Sequence, residues 1–118
     1  MQQGCRFIYD EDQLVSTGTT NQSWTTQDGA VYIPSISTRG IFQANLSGSS
    51  GVTLSLRKNG STTTTGHIVS KVGWASQATQ DAAVDCLDTD NNQRVQLNVG
   101  GGTLNNWILR VRGFELNL

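Results

Sequence analysis

The feature that most constrains this chain is apolar–polar alternation, repeated in segment after segment and broken by turn-forming residues. Val52, Leu54 and Leu56 alternate with Thr53, Ser55 and Arg57, and Val95, Leu97 and Val99 with Arg94, Gln96 and Asn98. Trp107, Leu109 and Val111 follow the same rule against Ile108, Arg110 and Arg112, as do Phe114, Leu116 and Leu118 against Glu115 and Asn117. A period of two puts alternate side chains on opposite faces of a strand, so each segment reads as a half-buried strand. Further strands are predicted at Cys5–Tyr9, Ala30–Ile33, Gly40–Ser47, His67–Trp74 and Ala82–Leu87. That makes about nine by the pattern rule. The best helix candidate, Ala75–Val84, has poor apolar spacing.

Turn signals fall between these segments. Gly48-Ser-Ser-Gly51, Asn59-Gly60, Asp90-Asn-Asn92 and Gly100-Gly-Gly102 are each rich in residues that accept turn geometry. Asn59-Gly60 is the strongest hairpin signal, because both residues tolerate positive φ. Pro34 ends the Ala30–Ile33 segment or places it on an edge. Leu14–Gln27 and Thr62–Thr65 read as loops, the first holding Trp24. Frequent turns with almost no helix indicate one all-β sandwich or barrel across residues 1–118, with no internal repeat or domain boundary.

Composition narrows the functions open to such a domain. Only 36% of residues are hydrophobic, so part of the burial is expected from partner chains. Charged residues are 14% and the net charge is −1, which gives no basic field for nucleic acid or anionic membrane. No apolar run approaches the length of a membrane span. Ser, Thr, Asn, Gln and Gly make up 57 of the 118 residues. Such a neutral hydroxyl-and-amide surface is insensitive to salt and suits a virion or extracellular surface. The opening Met-Gln-Gln-Gly-Cys-Arg lacks the apolar core of a secretory signal. Met1 makes a natural beginning the expectation.

The residues that could carry chemistry are few. His67 is the only histidine, and no acid lies near it in sequence. Its pairing with Cys5 or Cys86 is left open by spacing alone. The two cysteines sit among alternating apolar residues and are expected as free, buried thiols. Asp88-Thr-Asp90-Asn-Asn92 begins like a calcium loop. Gln93 and Val99, however, stand where an EF-hand requires Gly and Glu. A looser calcium site remains open, with a solvated acidic turn favoured. Two Cys and one His lack zinc-site spacing. Sequons at Asn21, Asn45 and Asn59 are expected by chance in so polar a chain. The expectation is a protein that is not an enzyme and holds no cofactor or metal.

A longer order of elements resembles a known family. Gly40-Ile-Phe-Gln-Ala-Asn-Leu is followed by Val52-Thr-Leu-Ser-Leu-Arg-Lys-Asn-Gly60 and Ala83-Val-Asp-Cys-Leu. Arg94-Val-Gln-Leu-Asn-Val and Val111-Arg-Gly-Phe-Glu-Leu116 complete it. Over residues 28–118 this resembles the C1q/TNF-like jelly roll. Gly40, Phe42, Asn59, Gly60, Gly113 and Phe114 occupy the family's positions, and Ala30-Val-Tyr-Ile-Pro resembles its entry into the Gly40 strand. Two departures are Asn-Asn-Gln where the family usually has Gly-Asp, and the lack of a collagen-like stalk before the domain. They leave the subfamily open and argue against a complement or adipokine-type protein.

The resemblance implies a ten-strand sandwich assembled as a homotrimer, its threefold axis lined by aromatic and aliphatic side chains. Ile41, Phe42, Trp107, Ile108 and Phe114 are the expected interface residues, since Ile41 opposes Phe42 and Ile108 opposes Leu109 on two-sided strands. The function expected is structural or adhesive: a phage virion component such as a head decoration, head fibre or receptor-binding knob, meeting other virion or surface proteins. The alternative is a lectin-like module for a cell-surface glycan, with Trp24 stacking on a sugar and Asn105 and Asn106 reading hydroxyls.

Overall fold

The computed structural model describes residues 5–64, 66–72 and 78–117. Its described residues hold eight strands and no helix: β1 (Cys5–Gly18), β2 (Gln22–Asp28), β3 (Arg39–Gly48), β4 (Thr53–Lys58), β5 (His67–Lys71), β6 (Ala78–Asp88), β7 (Arg94–Gly100) and β8 (Leu104–Asn117). They form two antiparallel four-stranded sheets, ordered β1-β8-β3-β6 and β2-β7-β4-β5. First and last strands pair, as do second and seventh, third and sixth, and fourth and fifth. The chain is thus one long antiparallel hairpin, bent at the β4–β5 turn and folded over itself to give the two sheets.

Alternation decides what lies between the sheets. Phe42, Ala44 and Leu46 of β3 and Trp107, Leu109 and Val111 of β8 come from one sheet. They meet Leu54 and Leu56 of β4 and Val95, Leu97 and Val99 of β7 from the other. All are buried, forming the single interior of a β-sandwich. Val52, Val72 and Ile33 close its ends from the connections.

Several expectations change. Leu14–Gln27 is not a loop: β1 continues to Gly18, and β2 begins after three connecting residues. Register shifts at Tyr9/Gln13 and Leu14/Ser16 disturb the period of β1, which is why this strand does not alternate visibly. Ala30–Ile33 is a turn rather than a strand, with the amides of Tyr32 and Ile33 both bonded to the Gly29 carbonyl. The two predicted C-terminal strands are one, β8, since pairing with β1 runs on through Gly113. From Ala78 onward the helix candidate is strand β6. Ala75 to Gln77 and Trp74 lie outside the described residues. The count among described residues is therefore eight, not nine or ten.

The turn signals fall between strands as expected, but Asn59-Gly60 opens a connection over 59–66 rather than a two-residue hairpin, and Asn59 does not take positive φ. Gly51, Gly60 and Gly101 take positive φ. Gly101 is the most constrained: a Cβ there would lie 2.5 Å from the Gly51 carbonyl oxygen, so both backbone angle and space demand glycine.

Candidate functional site

Trp24 lies on β2, half-buried, in the sheet that also carries β4 and β7. The Arg57 guanidinium sits 4.1 Å from its ring centroid. Arg57 Nε also donates to Gln96 Oε1 at 2.7 Å, and its Nη1 donates to the Thr63 carbonyl. A Cβ on Gly66 would come within 2.6 Å of the Trp24 ring. Trp24 is therefore a platform holding the β4–β5 loop, with one ring face already taken by a cation. Replacing Trp24 with Ala should cost about 1–2 kcal/mol. Hydrogen exchange in residues 60–64 should accelerate while β7 stays protected.

Asn105 and Asn106 open β8 in the other sheet, and Asn105 Nδ2 donates to Ser47 Oγ at 3.4 Å. The fold thus assigns Trp24 and the two asparagines to different sheets and does not join them in one concave site.

The five expected interface residues also divide. Phe42 is 0% exposed and Trp107 4%, and Ile41 is equally enclosed. Trp107 Nε1 donates to the Thr20 carbonyl at 3.2 Å, tying the β1–β2 turn to the interior. These three side chains are already buried within a single chain, which leaves them no area for a threefold axis. Ile108 and Phe114 differ in being half-exposed. Ile108 lies in register between Thr17 of β1 and Asn45 of β3. Phe114 packs on the core and, with Gln13, Val31, Tyr32 and Arg112, lines a shallow cleft of about 120 Å³.

The β2–β3 connection, part of which lines that cleft, carries exposed apolar residues that sequence reading missed. The β2–β3 connection presents Val31 and Ile36 at 81% and 79% exposure, and Leu14 is half-exposed. Tyr32 Oη donates to the Leu14 carbonyl at 3.0 Å, so the connection rests against β1. Val31 and Ile36, on either side of Pro34, are the available signal, hidden because Val31 also fits a strand pattern.

A polar cluster fixes the far end of this connection. Ser37 Oγ donates to the Glu115 carbonyl at 2.7 Å, and Gln93 Nε2 donates to the Ser37 carbonyl at 2.9 Å. Arg39 Nη1 bonds both carboxylate oxygens of buried Glu115 at 3.1 Å, and its Nε lies 3.1 Å from Asp88 Oδ1. Gln93 has φ 60°. It therefore does adopt the left-handed backbone a glycine would supply, held there by its buried amide.

The nearby acidic turn is built on Asp90. Its Oδ1 accepts from the amides of Asn92 and Arg94, and its Oδ2 from Asn59 Nδ2. Slight burial raises the Asp90 pKa. The Asn59 bond, the two amides and the charge of Arg94 together outweigh this, so the carboxyl sits below its usual range. A lowered folded-state pKa contributes stability that is present above the unfolded value of 3.8 and lost as pH falls through the folded one. Asp90→Asn should accordingly flatten the acid limb of the stability–pH curve below about pH 4, read by denaturant titration at each pH.

Among the described residues no three of His, Cys, Asp and Glu gather as metal ligands. Cys5 lies on β1 and Cys86 on β6, at opposite edges of a four-stranded sheet with two strands between them. At about 4.8 Å per strand that is roughly 14 Å, well beyond the about 7 Å limit for Cα atoms of a disulfide. The side chains of Cys5, Cys86 and His67 lie outside those described. No protein-family model matches this sequence, and no curated protein is significantly similar to it.

Proposed function

We propose that the chain is a jelly roll of the C1q/TNF-like type that assembles as a homotrimer and acts without catalysis, as a structural or adhesive protein on a particle surface. The observation that carries this reading is the strand order β1-β8-β3-β6 with β2-β7-β4-β5. A long hairpin rolled so that first pairs with last and fourth with fifth is the wiring of an eight-stranded jelly roll. That architecture recurs in viral capsid and lectin domains, and the step from fold to particle surface is argued by this analogy. The composition supports it, with few charges and a surface of hydroxyls and amides.

The trimer reading now rests on a different set of residues. Val31 and half-buried Phe114 line the cleft, and Ile36 and Leu14 are further exposed apolar side chains, area that neighbouring copies can cover. Within this reading a phage virion is the favoured particle, with the chain serving as a head decoration, head fibre or receptor-binding knob. Peptide mass spectrometry of purified particles from the producing culture tests it. Peptides of this chain in amounts comparable to the major coat proteins are expected. Recovery only from the cleared lysate or the secreted fraction would contradict the virion assignment.

A further inference from the structure

The half-buried guanidinium of Arg57 has no anion beside it. Its Nε donates to Gln96 Oε1, its Nη1 donates to the Thr63 carbonyl, and the Trp24 ring lies 4.1 Å away. All three neighbours are neutral, and Nη2 has no acceptor among the described residues. Drawing a guanidinium partly out of water without a counter-charge is costly, and such groups are ordinarily paired. The sequence around it supplies no pair. Residues 58–77 contain no Asp or Glu, and neither do β4 and β7. The one acid on the strands of this sheet is Asp28, opposite Arg94 and about 12 Å from Arg57 by strand spacing. Its Oδ1 accepts from the Ala30 amide.

The alternation that buries Leu56 and Leu97 turns Arg57, Gln96 and Asn98 to the outer side of the sheet, with Thr26 in register beside Gln96. Exposed Thr62, Thr63 and Thr64 of the β4–β5 connection stand at the same end. We propose that this group binds a sugar acid. A carboxylate of the saccharide pairs with Arg57 through Nη2, while Gln96 Nε2 and the threonine hydroxyls meet its hydroxyl groups. Trp24, Gln96 and Thr63 already hold the guanidinium, so little rotamer freedom is lost on binding. A planar, fixed donor fork matches a planar carboxylate. Trp24 is a positioning residue here, since Arg57 takes one face of its ring. Neutral hydroxyls and amides around one cation favour a saccharide over single-stranded nucleic acid, which uses a cationic groove and successive stacking aromatics. The site lies within one chain and does not depend on the trimer.

Calorimetric titration of the full chain with an oligogalacturonate at low salt tests the site. Arg57→Gln should weaken binding about tenfold or more. Arg57→Lys should restore only part of it, because the ammonium keeps the charge and loses the fork. Arg110→Gln, on the other sheet, should leave binding unchanged, and a neutral galactose oligomer should not bind. Circular dichroism reports whether each variant is folded. Gln96→Glu keeps the test open should Arg57→Gln fail to fold. It is nearly isosteric and gives Arg57 an internal carboxylate, so the melting temperature should hold or rise while the oligogalacturonate is lost. No uptake of the oligogalacturonate, or uptake indifferent to both Arg57→Gln and Gln96→Glu, would overturn the proposal. Acetate or inorganic phosphate bound as tightly would overturn it too, leaving a simple anion site. Single-stranded DNA bound more tightly than the oligogalacturonate would do the same and give the site to nucleic acid.

Discussion

Phe42→Ala is expected to destabilise the folded chain by about 3–5 kcal/mol and to lower its melting temperature by about 10–20 °C. Phe42 stands at the centre of β3 and is fully enclosed among side chains from both sheets. Truncation removes its transfer energy and leaves a hole that two hydrogen-bonded sheets cannot close. For a domain holding about 5–15 kcal/mol in total, that is a large share. The loss should be independent of protein concentration, because Phe42 serves its own chain. Val31→Ser/Ile36→Ser should behave in the opposite way. With both side chains almost fully exposed, melting of the isolated chain should change little, while assembly should weaken with dilution. Denaturant titrations at two protein concentrations separate the two effects.

Arg39→Met should cost about 2–4 kcal/mol, more than a surface ion pair is worth. Arg39 is itself partly exposed, but Glu115 is buried and receives two bonds from one guanidinium nitrogen. Removing the arginine leaves a buried carboxylate short of its charge partner, and the penalty comes from that stranded group. Arg39→Met/Glu115→Leu should therefore recover at least half of the loss. A double-mutant cycle by urea titration reads the coupling directly. The same pair spaces the β2–β3 connection through Ser37, so Arg39→Met should also speed amide exchange in residues 34–39.

The periodicity of the sequence was enough to place β3, β4, β7 and much of β8, because each has one inner and one outer face. It failed where geometry broke the period. The bulges of β1 put consecutive residues out of step, and β2 is an edge strand whose inward residues include the polar Gln27, bonded to Ser16 Oγ at 2.5 Å. Gly113 reads as a strand end in sequence but is one point in a continuous β8, where it pairs with both Tyr9 and Ile41. The candidate site was less legible for a similar reason. Phe42 and Trp107 have the chemistry of interface residues, and only the packing of two sheets shows that the core takes them. Trp24 seemed free because Arg57 lies 33 positions away in sequence.

Native mass measurement of the purified full chain at micromolar concentration and low salt tests the central claim most directly. Three times the chain mass, dissociating on dilution and weakened by Val31→Ser/Ile36→Ser, is the predicted result. A single-chain mass under the same conditions, unchanged by those substitutions, would contradict it.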